Sequence, residues 1–245
     1  MRVAILSDIH ANLEALEAVL EHLARRRYDA IWFLGDAVGY GGDPEAILHW
    51  LREREPGHLV RGNHDKVVAG IEEPDGFSSI AREAALRTRS MVSEAGLRYL
   101  RMLPRGPVAV TDEVSICHGS WINEDYYILF PNDAEETFEQ MRGSLLFFGH
   151  THRACLYGQL DGGTFEIPCS NGTEIVLQSK WRYLINPGSV GQPRDRDPRA
   201  AYILFDTEER RIAFFRVPYD IETAQRKIIK AGLPEMNAAR LAEGR

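Results

Sequence analysis

Five short segments of this 245-residue sequence carry side chains suited to holding metal ions: Asp8-Ile9-His10, Gly35-Asp36, Gly62-Asn63-His64-Asp65, His118-Gly119 and Gly149-His150-Thr151-His152. Each alone is ambiguous. Asp-x-His is usually a turn or a cap, Gly-Asp is a common turn dipeptide, and Asn63 suits an Asx-turn. Cys117-His118 reads equally well as a core histidine bonded to its surroundings. All five in order, each after an apolar run and most beside a glycine, are hard to attribute to chance. Five of the eight histidines lie in them. Imidazoles mixed with carboxylates favour Mn²⁺, Fe, Ni²⁺ or Zn²⁺ over the all-oxygen ligation of Mg²⁺ and Ca²⁺. One carboxylate using both oxygens can bridge two such ions. The glycines at 35, 62, 119 and 149 allow sharp turns close to them.

Something must bring these segments together. Residues 2–7 form an apolar run rich in β-branched side chains, hence a buried strand. Leu13, Leu16, Leu20 and Leu23 share one helical face. Residues 30–34 are a second strand, Asp43-Pro44 opens a helix with the carboxylate as N-cap, and 58–61 form a third strand. This β-α-β-α-β start implies a parallel sheet covered by helices. In such sheets the loops at the carboxyl ends of the strands meet at one crevice, which is where the five segments fall.

Residues 66–104 read as a helical insertion lying over or beside the sheet end. Strands are expected at 107–110, 114–117 and 145–148, with Asp133 and Glu136 as a capping box between them. Beyond residue 154 strands alternate with tight turns. Asp161-Gly162 and Asn171-Gly172 are hairpin signals, and strands follow at 181–185, 201–205 and 212–217. A helix spans 221–230, and the charged tail past Pro234 is expected to be loosely held. The whole predicts an α/β fold of two sheets sandwiched between helical layers. Residues 1–245 form one domain in this reading, interrupted by the insertion.

Composition narrows the function. A net charge of −7 argues against non-specific nucleic-acid binding, which relies on surplus Lys and Arg. Arg25-Arg26-Arg27, the one basic run, closes a helix where cations suit the dipole. Apolar runs are strand-length, which excludes a membrane-spanning helix, and Met1 leads straight into a strand, so a cytoplasmic location is expected. Cys117, Cys155 and Cys169 lack zinc-site spacing and read as reduced thiols. His22, His49 and His58 have no partner ligands in sequence and read as structural.

The ordered pattern D-x-H, G-D, G-N-H-D, H, G-H-x-H resembles the signature of the calcineurin-like metallophosphoesterase superfamily. Gly39-Tyr40-Gly41 and Asn186-Pro187-Gly188-Ser189-Val190 resemble its small bacterial and archaeal phosphodiesterase branch. The resemblance implies a four-layer α/β/β/α sandwich. It also implies two divalent transition-metal ions, with Mn²⁺ the first expectation. One would be held by Asp8, His10, Asp36 and His152, the other by Asp36, Asn63, His118 and His150. His64 would then face the substrate, and Asp65 would either orient His64 or serve a plain structural role. Two ions about 3.5–4 Å apart would hold a hydroxide for in-line attack on the phosphorus.

One position departs from the protein-phosphatase branch, where an arginine that grips the phosphate follows the G-D motif. Tyr40 stands at that place here. Loss of that clamp favours a phosphodiester monoanion over a phosphoprotein. Arg194 and Arg196 offer a replacement, or belong to a solvated loop. Trp121 and Tyr126-Tyr127 either wall the crevice or pack in the core. The expected substrate is thus a small phosphoester or nucleotide-like molecule, and a homo-oligomer is left open. A phosphomonoesterase, a protein phosphatase, a nucleotide hydrolase and a metal-bound interaction scaffold are the alternatives.

Overall fold

The computed structural model describes residues 1–245. It opens with β1 (Arg2–Leu6), α1 (Leu13–Ala24), β2 (Ala30–Phe33), α2 (Pro44–Arg54) and β3 (His58–Leu59). Three helices follow: α3 (Asn63–Ala69), α4 (Ser79–Met91) and α5 (Glu94–Met102). Next come β4 (Val108–Ala109), β5 (Val114–Ile116), α6 (Pro131–Gln140) and β6 (Leu145–Phe147). The second half holds β7 (Ala154–Leu160), β8 (Gly163–Ile167), β9 (Glu174–Val176), β10 (Arg182–Pro187), β11 (Ala200–Asp206) and β12 (Arg211–Val217). Helices α7 (Ile221–Lys230) and α8 (Glu235–Glu243) close the chain.

The strands form two six-stranded sheets, ordered β3-β2-β1-β11-β12-β9 and β4-β5-β6-β10-β7-β8. Each has a run of three parallel strands, β3-β2-β1 in one and β5-β6-β10 in the other. Period-two alternation lets every central strand feed two cores. Val3, Ile5, Trp32 and Leu34 meet Ile116, Leu145, Phe147 and Ile185 between the sheets. Ala4, Leu6, Ile31 and Phe33 face the helical layer that includes Leu16, Val19, Ile47 and Leu51. On the far side Leu146, Phe148, Tyr157 and Leu184 pack on Ala134 and Phe138 of α6. Both faces of both sheets are covered, which explains the near-continuous apolar strand sequences. The result is the four-layer α/β/β/α sandwich.

Four local expectations change. Asn171-Gly172 is a turn, but β8 and β9 on either side of it belong to different sheets, so it carries the chain between layers. A left-handed Gly172 at φ +81° suits any reversal, and the pairing partner is chosen by packing. Asp133 is not the residue before α6. It lies inside the first turn opened by Pro131, and its Oδ2 accepts from Leu129 N and Phe130 N, both at 2.9 Å. Asp43 makes no side-chain cap bond and instead accepts from Lys227 Nζ at 2.9 Å. The tail past Pro234 is helix α8, with Asn237, Ala238 and Leu241 buried. Its small apolar face was too short to stand out among the charges.

The inter-sheet core should dominate stability. Phe147 is fully buried, its ring centroid 5.2 Å from Phe205 and 6.0 Å from Trp32. Phe147→Ala is expected to lower the unfolding free energy by about 3–5 kcal/mol in a denaturant titration. A loss under 1 kcal/mol would mean the sheets do not pack as described.

Candidate metal centre

All six parallel strands point their carboxyl ends at one place. Asp8 follows β1, Asp36 follows β2, Asn63 follows β3, His118 follows β5 and His150 and His152 follow β6. The loop after β10 braces the floor. Ser189 Oγ and Gly191 N donate to Asp8 O at 2.8 and 2.9 Å, and Asn186 Nδ2 donates to Gly149 O at 2.7 Å.

The backbone here is strained. Asp8, His10, Asp36, His150 and His152 have φ of +54°, +49°, +59°, +65° and +58°, a left-handed conformation costing a non-glycine residue roughly 1 kcal/mol or more. Bonds between the first two loops hold it, with Asp8 N and His10 N donating to Gly35 O and Asp36 O, each at 3.0 Å. Gly35 turns at φ +96°, while Gly62 is needed for clearance because a Cβ there would strike the Asp36 carboxylate.

The side chains converge as two groups, Asp8, His10, Asp36 and His152, and Asp36, His118 and His150, all buried. Asp36 Oδ2 belongs to both, lying 3.4 Å from His10 Nε2 and 3.4 Å from His118 Nε2. Asn63 Oδ1 is 3.2 Å from His118 Nε2 and completes the second group. Every one of the seven expected ligands is therefore present in one cluster.

Each imidazole is oriented from behind. His10 Nδ1 faces Val38 O at 3.0 Å, His118 Nδ1 faces Leu34 O at 2.7 Å and His152 Nδ1 faces Gln192 O at 2.6 Å. His150 is turned the other way, with Nε2 at 3.0 Å from Asp125 O. Carbonyl oxygens only accept, so the outer nitrogens carry the N–H and neutral rings aim lone pairs inward. His10 Nε2 and His152 Nε2 then stand 3.1 Å apart, with Asp8 Oδ1 3.3 Å from the latter. Acceptors face acceptors. Asp8 Oδ1 and Asp36 Oδ2 are buried without any hydrogen-bond donor. A cation relieves this repulsion, and the mixed imidazole, carboxylate and amide donors fit a divalent transition metal.

Burial and neighbouring charge bias the protonation of these groups. Burial pushes the His10, His150 and His152 imidazoles well below their ordinary value, leaving them neutral. Burial alone would raise the Asp36 carboxyl, yet His118 and His10 beside it hold it well below the usual range. For His118, burial is outweighed by Asp36 and Asp8, which lift it to about 10.

His64 lies just outside the cage. Its ring centroid is 4.9 Å from that of His10, its Nε2 is 3.0 Å from Tyr40 Oη and its Nδ1 is unpartnered. Burial lowers it to about 4. The expectation that Asp65 orients His64 is corrected by the geometry. Asp65 accepts from Gly62 N, Asp36 N and Ala37 N, each at 2.9 Å, and from Val38 N at 3.3 Å. Its carboxylate is fully used in fixing the Asp36 loop, and Tyr40 is the group that hydrogen-bonds the His64 ring.

A crevice of about 450 Å³ opens over the cage, lined among others by Tyr40, Asn63, His64, Phe77, Tyr127 and His150. Arg194 reaches it, its guanidinium 5.4 Å from the Tyr40 ring centroid. Arg196 does not, its backbone N–H being bonded to Gly244 O. The aromatic trio divides as well. Tyr127 stacks on His150 at 3.8 Å, whereas Trp121 and Tyr126 pack on the α6 core. His22 bonds Tyr202 Oη at 2.8 Å, in keeping with a structural role.

One element went unseen in the sequence. Lys66, only 1% exposed, pairs with Asp125 at 2.6 Å, Glu72 at 3.0 Å and Glu124 at 3.2 Å. Arg61 grips Glu124 bidentately at 2.9 and 3.1 Å. The network anchors the loop whose Asp125 carbonyl holds His150 and whose Tyr127 covers it. Charges far apart in a single sequence give no sign of such pairing.

A two-sheet sandwich with a buried Asp/His cage at the strand ends defines a metal-dependent hydrolase class. The chain belongs to the calcineurin-like phosphoesterase superfamily, whose domain model matches residues 1–210. It is 36% identical over 259 residues to the uncharacterised protein MJ0912 of Methanocaldococcus jannaschii, covering 99% of this chain and 98% of that one. A crystal structure of a metallophosphoesterase from Sphaerobacter thermophilus is 38% identical, with a TM-score of 0.89 over 100% of this chain and 99% of the other. The hypothetical protein PH1004 of Pyrococcus horikoshii shares the fold at 22% identity, with a TM-score of 0.79 over 100% and 98% of the two chains. The protein is therefore a metallophosphoesterase with buried His and Asp metal-binding groups.

Three outcomes are expected. Calorimetric titration with Mn²⁺ should give two ions per chain with proton release, and hence weaker binding at lower pH. Asp36→Asn should weaken both sites, and loss of only one would deny the shared oxygen. For Glu124, burial alone would raise the carboxyl, but Arg61 and Lys66 hold it below its ordinary 4.5. Its contribution is present above that value and lost as pH falls through the lowered one. Glu124→Gln should therefore be less stable than wild type by about 2–3 kcal/mol at pH 7, a gap that narrows below pH 4.5 in acid denaturation. A gap independent of pH would assign the effect to packing.

Proposed function

We propose that this chain is a dinuclear metal-dependent phosphodiesterase acting on a small, nucleotide-like ester. The observation that carries the reading is Asp36 Oδ2, equidistant at 3.4 Å from an imidazole of each ligand group and free of donors. In this reading Asp8, His10, Asp36 and His152 hold one ion, and Asp36, Asn63, His118 and His150 the other. Two such ions, Mn²⁺ foremost, supply a positive centre that polarises the phosphoryl group and acidifies water.

The chain's own groups do the rest. His64 and Tyr40, linked at 3.0 Å, stand at the crevice side and offer hydrogen bonds to the phosphoryl or departing oxygen. Asp65 is a positioning residue that fixes the Asp36 loop. Arg194 attracts the anionic ester into the crevice. No arginine follows Gly35-Asp36, so a dianion is not clamped there, and the aromatic walls Tyr40, Phe77 and Tyr127 leave space for an organic group on the phosphate. The helical insertion at 66–104 contributes Val67, Glu72, Phe77 and Ala81 to the crevice lining, which supports its acting as a specificity cap over a one-domain enzyme. All three cysteines are free thiols, as suits the cytoplasm.

Hydrolysis of bis-p-nitrophenyl phosphate against p-nitrophenyl phosphate by the Mn²⁺-loaded protein tests this. Diester cleavage should be the faster, should vanish in Asp36→Asn, and should fall ~10²–10⁴-fold in His64→Ala. Faster monoester cleavage would make the protein a phosphatase, and unchanged turnover in His64→Ala would remove that residue's role.

A further inference from the structure

Of the two helices beyond the residues matched by the superfamily model, the last reaches the mouth of the metal centre. The match ends at residue 210, and α7 and α8 follow it. They are firmly seated. Lys227 bonds Asp43 at 2.9 Å and pairs with Glu14, Gln225 Nε2 donates to Ala238 O at 2.8 Å, and Arg196 N donates to Gly244 O at 2.9 Å. Ala224, Ile228, Ala238 and Leu241 share a small core with Ala84 of α4 and with Tyr40, the residue bonded to His64. This seating places Arg240 of α8 in the wall of the crevice, which Arg194 also lines.

Neither arginine has a carboxylate partner. Arg240 is half-buried and its side chain makes no ion pair or hydrogen bond within the protein. Arg194 donates to the neutral Gln192 Oε1, at 2.8 and 3.3 Å, and forms no ion pair. Of the crevice carboxylates, Glu72 and Asp125 are engaged by Lys66, leaving Glu73 without a partner. Arg194 also stands against the Tyr40 ring, its guanidinium 5.4 Å from the centroid. Two guanidiniums lining one crevice beside a centre built to gather cations make that crevice a place for an anion. The phosphate being cleaved belongs at the ions, so a further anion is called for.

We propose that Arg240, with Arg194, binds a second, non-scissile phosphate of the substrate, making Arg240 a specificity-determining residue supplied by the C-terminal helices. This rests on the phosphoesterase reading above. A guanidinium presents parallel N–H donors that match two phosphate oxygens, and Phe77 and Tyr127 offer flat faces for the group joining the two phosphates.

The probes are p-nitrophenyl esters of thymidine 5′-phosphate with and without a 3′-phosphate, given to the Mn²⁺-loaded full chain. Wild type should favour the 3′-phosphorylated ester by about tenfold or more in kcat/KM. R240M should bring that ratio close to one and R240K should keep part of it, with thermal midpoints matching wild type. Calorimetry with thymidine 3′,5′-bisphosphate and thymidine 5′-phosphate supplies a readout without turnover, and the same gap in Kd should appear and disappear in R240M. Equal ratios in wild type and R240M, in both kcat/KM and Kd, would overturn the inference. If no ester is cleaved but the Kd gap holds and depends on Arg240, the second-phosphate site stands and the hydrolase reading fails.

Discussion

The Asp36 carboxylate is the point at which the two halves of the molecule meet. One oxygen is tied to the His64 backbone N–H at 2.8 Å, and the other faces imidazoles from two different ligand groups. Asp65 holds the loop beneath it by accepting four backbone N–H groups, including that of Asp36 itself. Of the imidazoles in the cage, burial holds His10, His150 and His152 neutral, so the buried carboxylates gain little from them without cations. The left-handed residues around it add backbone strain. The sandwich must offset both, and the densely packed layers above and below the two sheets do so.

The architecture follows from that demand. Three parallel strands in each sheet deliver loops to a common edge, so ligands from both sheets face each other across the inter-sheet core. Parallel strands need crossovers, and the helices that provide them cover the outer faces. Imidazole orientation is then set by main-chain carbonyls of neighbouring loops, at Leu34, Val38, Asp125 and Gln192. Rigidity behind the ligands lets a polar centre persist inside a dry interior.

Much of this was legible in the residues themselves. Asp8-x-His10 and His150-x-His152 reveal chemistry because side-chain type and spacing carry it, and the apolar runs before them reveal strands because burial on both faces leaves an unbroken pattern. What stayed hidden lacks such a signature. Carbonyl partners can belong to any residue. The Lys66–Glu124–Arg61 network joins charges that look solvated in sequence. Asp65, adjacent to His64 in the chain, points away from it because four N–H groups outbid one imidazole. The charged segment past Pro234 hides a helix whose packing depends on Tyr40 and α4, both distant in sequence.

Asp36 Oδ2 stands where a single carboxylate oxygen would join two ions. Electron paramagnetic resonance of the Mn²⁺-saturated protein tests it most directly. Two Mn²⁺ ions bridged by Asp36 should give the closely spaced multiline spectrum of an exchange-coupled pair, collapsing to an uncoupled signal in Asp36→Asn. An uncoupled six-line spectrum in the wild type at full occupancy would contradict a shared ligand and with it the account of this centre.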